Sequence, residues 1–226
     1  MKRLSASAMA MSVLLCGAGF AQTPPLIDGA ALAGPPPAAD SPQAAADRLA
    51  MHPTTGAERM AQAVADLAFD PWLAFRPALG ADFTAGRFPA TARVLTAVTR
   101  ALLGPINGAK DVYDRPRPYA ADRAVMQCDT LPENASMGAS YPTGHGAAGW
   151  AWALALAELA PARADAILQR GRDFGESRVI CGYHFPSDIE AARLIAAGVI
   201  ARLHAEPAFR RDLDAARREF ARARPN

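Results

Sequence analysis

The chain has little net charge, and this shortage excludes one broad class of partner. Residues 1–21 contain two of the 24 Lys and Arg and none of the 22 Asp and Glu, so the remaining chain is formally neutral. A neutral chain lacks the basic surface on which nucleic-acid binding depends. We therefore expect no nucleic-acid partner, and any anion-binding site has to be local.

Strand patterns are also missing. The sequence has no sustained alternation of apolar and polar residues, no hairpin dipeptides and no internal repeat. Helical periodicity is clear instead at 55–69, 90–103, 143–159, 161–178, 186–204 and 207–224. A length of 226 residues suits one domain with a sizeable core. The sequence therefore predicts an all-α, single-domain helical bundle.

Long apolar runs are few, and the first lies at the N-terminus. Lys2 and Arg3 precede an apolar stretch at 9–20, and small residues lead to Ala21. This stretch is too short to span a bilayer, so the pattern predicts a signal peptide at 1–21 and a periplasmic or secreted protein. A membrane anchor and a lipoprotein site at Cys16 are the alternatives. After cleavage we expect no membrane segment.

Residues 22–45 have few large apolar side chains and many Pro, Ala and Gly. Such a composition cannot bury enough apolar surface to offset the entropy of ordering. We therefore predict an extended or poorly ordered linker at 22–45, followed by one domain at 46–226.

Cysteine is scarce, with three residues in the chain. Cys16 falls within the predicted signal peptide, which leaves Cys128 and Cys181. Two cysteines in an exported protein are more often paired than free. We predict a disulfide between them, with two buried thiols as the alternative.

Three short segments concentrate cations and histidines beside helix starts. Lys110, Arg117 and Arg178 offer three positive charges, and arginine donates in a fork that fits phosphate oxygens. The hydroxyl of Thr143 and the amides of Gly144 and His145 add donors at the positive end of a helix. This set suits a tetrahedral dianion.

Two histidines add reactive groups to this anion site. His184 can attack phosphorus if an acidic partner holds its second nitrogen, and Asp188 lies four residues later. His145 can donate a proton to the leaving oxygen. Because cations outnumber carboxylates here, a divalent metal would be repelled, and we predict no metal and no other cofactor.

The segments resemble the phosphatidic-acid-phosphatase type 2 (PAP2) superfamily, and more closely its bacterial class A non-specific acid phosphatases. The matching motifs are Lys110-x6-Arg117-Pro118, then Pro142-Thr143-Gly144-His145, then Ser177-Arg178-x5-His184-x3-Asp188. The resemblance covers roughly residues 45–220. The family's usual run Gly-Ser-Tyr-Pro-Ser-Gly-His-Thr reads Ala-Ser-Tyr-Pro-Thr-Gly-His-Gly at 139–146.

The resemblance implies a role for each matching residue. His184 would be the nucleophile, Asp188 its orienting partner, and His145 the general acid and later the base. The phosphoryl group would be held by Lys110, Arg117, Thr143, Gly144, His145 and Arg178. It also implies a PAP2-type helical bundle, no metal, an acidic optimum and frequent homo-oligomers. The expected substrates are small phosphate monoesters such as nucleotides, sugar phosphates and aryl phosphates.

Three other functions fit the same anion site. A vanadate-dependent haloperoxidase shares the constellation, because vanadate resembles the phosphoryl transition state, but such chains are typically much longer. A lipid phosphatase of the superfamily would carry several membrane spans. A non-catalytic phosphate-binding protein would need neither the His–Asp pair nor the second histidine.

Overall fold

The computed structural model describes residues 26–51, 53–128 and 139–223, and these form helices and loops with no strand. The predicted all-α class is therefore confirmed, while the predicted signal peptide lies outside the described residues. The helices are α1 (Gly29–Ala33), α2 (Pro42–Leu49), α3 (Ala57–Ala65), α4 (Pro71–Leu79), α5 (Pro89–Tyr113), α6 (Pro118–Ala121), α7 (Gly144–Leu159), α8 (Ala164–Ile180), α9 (Pro186–Leu203) and α10 (Pro207–Ala223). A 3-10 turn at Pro161–Arg163 precedes α8.

Helix α7 is the centre of the bundle. It is apolar on nearly all sides, and Trp152 and Leu156 have almost no exposed surface. Helices α5, α8 and α9 all pack against it, which is how a helix without a polar face is accommodated in a globular protein. In the described part of the chain, no helix combines the length and apolarity needed to cross a bilayer.

Helix α5 is longer than its apolar periodicity predicts. It continues past residue 103 and through Pro105 to Tyr113, and it ends where Asp114 adopts a left-handed backbone conformation with φ 35°. Asp tolerates this conformation better than most residues with a side chain. The extension places Lys110 in the last turn of the helix, facing the start of α7.

Part of the Pro/Ala-rich segment is helical and packed, since α1 and the start of α2 lie within its described residues 26–45. Helix α1 lies so close to α5 that a Cβ on Gly29 would come within 2.1 Å of the Pro105 carbonyl oxygen. The Tyr113 hydroxyl donates to the Ala30 carbonyl at 2.9 Å, and Ile27 packs against the core. The expectation of an extended or poorly ordered segment is therefore wrong for residues 29–33, where contacts with α5 compensate for the lack of large side chains. The division into linker and domain stays a prediction.

Candidate active site

The candidate site lies where the ends of four helices meet. Lys110 is in the last turn of α5, and His145 is in the first turn of α7. Arg178 is in the last turn of α8, and His184 is in the loop between α8 and α9. Because α5, α8 and α9 all pack on α7, the fold brings three sequence motifs to one place.

The ring of His184 is buried and held at both nitrogens. Nδ1 lies 2.7 Å from the carbonyl oxygen of Ser140, and Nε2 lies 3.0 Å from Nη1 of Arg117. A carbonyl can only accept and an arginine can only donate. The contacts therefore select the tautomer with hydrogen on Nδ1 and a lone pair on Nε2 that accepts from Arg117, and an unprotonated Nε2 is what a nucleophile requires.

Asp188 lies beside His184 but does not make the shortest contact with it. Its Oδ2 is 3.5 Å from His184 Nδ1, which is longer than the bond to the Ser140 carbonyl. The carboxylate accepts shorter hydrogen bonds from the Ser140 hydroxyl at 2.6 Å and the Phe185 amide at 2.8 Å. Asp188 thus fixes the two segments on either side of the His184 ring as well as facing the ring itself.

Arg115 supports Asp188 from behind. Its Nη1 donates to Asp188 Oδ1 at 2.7 Å and to the Ser187 hydroxyl at 2.7 Å, and its Nη2 donates to Asp47 Oδ2 at 2.9 Å. Asp47 in α2 also accepts from the Ser187 amide at 3.0 Å. Arg115 contacts these carboxylates, and its guanidinium stacks 4.1 Å above the Phe185 ring. These contacts hold the residues around Asp188 in place.

His145 lies on another side of the site. The backbone of Leu67 hydrogen-bonds to its ring, and the ring packs edge-on to Phe69 with centroids 4.9 Å apart. Its Nε2 is buried and has no hydrogen-bond partner among the described residues. This nitrogen is therefore available to a ligand, as a group that exchanges a proton with a substrate must be.

Two arginines add further unpartnered nitrogens. Within the described ranges, Nε of Arg117 and Nε of Arg178 are buried without a partner. Arg178 Nη2 donates to the Ala63 carbonyl at 3.3 Å, and Lys110 Nζ donates to the Ala139 carbonyl. Buried polar nitrogens without partners are costly, and an anion seated among them would satisfy them.

The cations and the burial of the site act together on its titrating groups. Burial, followed by the charge of Arg178, lowers the pKa of His145 to about 4. Burial also lowers the pKa of His184 to about 4; the charges of Arg117 and Lys110 act in the same direction, and Asp188 opposes them. Both histidines are consequently neutral at mildly acidic pH when no ligand is bound.

The pKa values of Lys110 and Asp188 are shifted as well. Burial, helped by Arg117, lowers the pKa of Lys110 to about 8, so the amine remains protonated in acid. Burial alone would raise the pKa of Asp188, but His184, Arg115 and Ser140 outweigh it and hold the pKa below its usual value. The site therefore keeps its cations and its carboxylate charged.

Thr143 caps α7, and its methyl group leaves no room for a side chain at Gly146. Its Oγ1 accepts from the Gly146 amide at 3.3 Å, and the side chain is fully buried. A Cβ on Gly146 would lie 2.4 Å from the Thr143 Cγ2 methyl. The extra methyl of threonine thus occupies the space beside a glycine, at a position where the class A pattern usually has threonine. The amides of Gly144 and His145, in the first turn of α7, have no intrahelical acceptor.

Among the described residues, no three His, Cys, Asp or Glu side chains cluster as metal ligands. A cavity of about 580 Å³ lies between residues 79–88 and α10, and none of the candidate site residues lines it. A smaller cavity of about 170 Å³ is lined by Lys110, Gly144 and His145 and opens beside the site.

Sequence reasoning missed several groups that shape the site. Ser140 and Asp47 were not assigned roles, yet the first supplies the acceptor for His184 and the second holds Arg115. Neither has a distinguishing sequence signal, since Ser140 acts through its backbone carbonyl and Asp47 is 140 residues from its partner Ser187. Phe69 was also missed, although it packs on His145.

Comparison with known proteins identifies the class. Residues 90–211 match the PAP2 superfamily. A non-specific acid phosphatase of Providencia stuartii is 49% identical over 115 residues, covering 50% of this chain and 46% of the relative. An acid phosphatase of Zymomonas mobilis is 37% identical over 198 residues, covering 84% and 74%. A non-specific acid phosphatase of Salmonella typhimurium is 36% identical over 194 residues, covering 82% and 77%.

The chain belongs to the PAP2 superfamily. The similarity to relatives named acid phosphatases extends over most of the chain and supports a phosphatase enzyme. The family that the three motifs predicted is thereby confirmed. The match to the Providencia protein spans less than half of that relative's length.

Proposed function

We propose that the chain is a broad-specificity acid phosphatase that hydrolyses small phosphate monoesters through a phosphohistidine at His184, without a metal ion. The observation that carries the proposal is the state of the His184 ring. Its Nδ1 faces the Ser140 carbonyl, and its Nε2 lone pair faces Arg117 in a site that also contains Lys110 and Arg178.

The phosphoryl group is held by charge. Arg117, Arg178 and Lys110 surround it, and the α7 amides of Gly144 and His145 donate at the positive end of the helix. Three cations and a helix terminus stabilise the charge that spreads over the equatorial oxygens in the transition state. The hydroxyl hydrogen of Thr143 is free to donate as well, because its oxygen accepts from Gly146.

The reaction then takes two steps. The Nε2 lone pair of His184 bonds to phosphorus, and the bond to the ester oxygen breaks with its electron pair on oxygen, which takes a proton from Nε2 of His145. A water molecule next attacks phosphorus and gives its proton to His145. The phosphorus–nitrogen bond breaks, its electron pair returns to His184, and inorganic phosphate leaves.

Hydrolysis of p-nitrophenyl phosphate at mildly acidic pH with excess EDTA tests this mechanism, using the mature protein and His184→Ala. His204→Ala is the matched control, since His204 contacts Glu158 and Ile200 instead of the site. We expect activity in EDTA, none in His184→Ala, full activity in the control, and an acid-labile phosphoenzyme only where His184 is present.

Each contrary result points to a different function. Activity lost to EDTA would indicate a metal enzyme, and turnover by His184→Ala would exclude the phosphohistidine. Phosphate binding without turnover in the wild type would indicate a binding protein. Halide oxidation that requires vanadate and peroxide would indicate a haloperoxidase.

We also propose that residues 1–21 direct export to the periplasm and that the mature protein forms homo-oligomers. The basic residues Lys2 and Arg3, the apolar stretch at 9–20 and the small residues that lead to Ala21 support export. Mass spectrometry of protein from the periplasmic fraction should give an N-terminus at Gln22. Light scattering should give a mass above that of one mature chain, and a monomer would contradict the second proposal.

A further inference from the structure

A small apolar cavity adjoins the candidate site on the side of His145. It has a volume of about 170 Å³, and Lys110 and His145 form the part of its wall nearest the phosphate site. The remaining wall is mainly apolar and includes Phe69, Leu103 and Ile106. Phe69 is 47% exposed and Leu103 is 57% exposed, so both leave apolar surface uncovered beside the site.

The position of the cavity determines which part of a substrate it can receive. In an in-line displacement the attacking and leaving atoms lie on opposite sides of phosphorus. His184 attacks and His145 protonates the leaving oxygen, so the leaving group is on the side of His145. That side is where the cavity opens.

We propose that this cavity binds the organic group of the substrate and favours esters whose leaving group carries an aromatic ring. The inference rests on the proposed phosphatase function. A ring can pack against Phe69 and Leu103, and burying it removes apolar surface from water. A polyol or sugar would lose water from several hydroxyls and find few partners on this wall, where Asn107 and Thr99 are the polar residues other than Lys110 and His145.

Two substrates separate ring binding from chemical reactivity. Benzyl phosphate and glycerol 1-phosphate both release a primary alcohol, so their intrinsic reactivities are similar and the ring is the main difference. We expect kcat/KM for benzyl phosphate to exceed that for glycerol 1-phosphate by roughly 10- to 100-fold, the range that apolar pocket contacts give.

Three variants test the wall itself. Leu103→Asn should lower kcat/KM for benzyl phosphate by roughly 3- to 10-fold and leave glycerol 1-phosphate unchanged, because Leu103 is exposed and not part of the core. Asn107→Leu should raise the preference for benzyl phosphate. The control is Leu194→Asn, since Leu194 is 54% exposed on α9 and away from this cavity; it should change neither substrate.

The possible outcomes separate this inference from the function on which it rests. Equal kcat/KM for the two esters in the wild type would overturn the aromatic preference and leave the phosphatase intact. An equal loss on both esters in Leu103→Asn would overturn the role of the cavity. A wild type that hydrolyses neither ester would overturn the proposed function and this inference together.

Discussion

Substrates that differ in the second pKa of their phosphate should differ by the same amount in the alkaline limb of the pH profile of kcat/KM. The reason is that His145 has a pKa of about 4 in the free protein, through burial and the charge of Arg178. At pH 6 about 1% of the molecules would then carry a proton on His145. The proton for the leaving group therefore arrives with the substrate, as the monoanion of the ester.

The structure also gives the limits of the profile. Below about pH 4 His184 becomes protonated and loses its lone pair, so kcat/KM falls as the pH falls through the lowered pKa. Above about pH 6 the phosphate loses its second proton, and kcat/KM falls as the pH rises. We expect a bell-shaped profile between these values.

The assay compares aryl phosphates whose ring substituents change the second pKa of the phosphate. The acid limb should stay in place for all of them, while the alkaline limb follows the substrate. An alkaline limb at one pH for every ester would show that a group on the protein sets it, and would refute the neutral state of His145. NMR titration provides a direct check, since the chain has four histidines: the His145 ring should titrate near pH 4 when free and at higher pH with bound phosphate.

Three further perturbations test the supporting structure. Gly146→Ala should destabilise the protein by about 1–3 kcal/mol, because its Cβ would meet the Thr143 methyl at 2.4 Å. Adding Thr143→Ser should restore most of that loss in thermal unfolding, and a double variant as unstable as the single one would contradict the packing argument. Asp188→Asn should lower kcat roughly 100-fold, less than the roughly 10⁴-fold seen where a lost carboxylate leaves the wrong tautomer, because the Ser140 carbonyl still holds the His184 Nδ1 hydrogen. A fall near 10⁴-fold in steady-state kinetics would mean that the carboxylate sets the tautomer. Reducing the disulfide that joins Cys128 and Cys181 in the structure should lower the free energy of unfolding by about 2–4 kcal/mol in urea titrations. Two free thiols in non-reducing mass spectrometry would contradict this expectation.

The helices that the sequence predicts best are those with clear start signals. The predicted helix at 186–204 begins at Pro186 as expected, and the helix predicted at 143–159 is α7, capped by Thr143. The short helices α1 and α2 were not predicted, because their stability comes from packing on α5 and α9 rather than from periodicity. Helix α5 extends beyond its predicted end at residue 103, because tertiary packing outweighs the cost of Pro105 inside the helix.

The site was predictable to the extent that it depends on motifs. Lys110 lowers the pKa of His184, and His184 lowers the pKa of His145, so the structure brings residues of the three motifs together, as the motif order implied. The hydrogen bond from His184 to the Ser140 carbonyl was not predictable, because it depends on the path of the backbone. The hydrogen bonds that link Asp47 through Arg115 to Asp188 were not predictable for a similar reason, since they join α2 and α9, which are distant in the chain.

In the proposed mechanism the same charges bind the phosphate and control the protonation of His145. In the free protein, burial and the neighbouring cations keep His145 and His184 neutral, so the proposed nucleophile keeps its lone pair while the proposed acid lacks its proton. A bound phosphate brings negative charge that offsets Arg117 and Arg178, which raises the pKa of His145 in the complex only. When inorganic phosphate leaves, the cations are again uncompensated and His145 releases its proton. Removing the charge of Arg117 or Arg178 would therefore weaken substrate binding and also raise the pKa of His145 in the free protein. Substrate binding and acid catalysis cannot be tuned separately in this site.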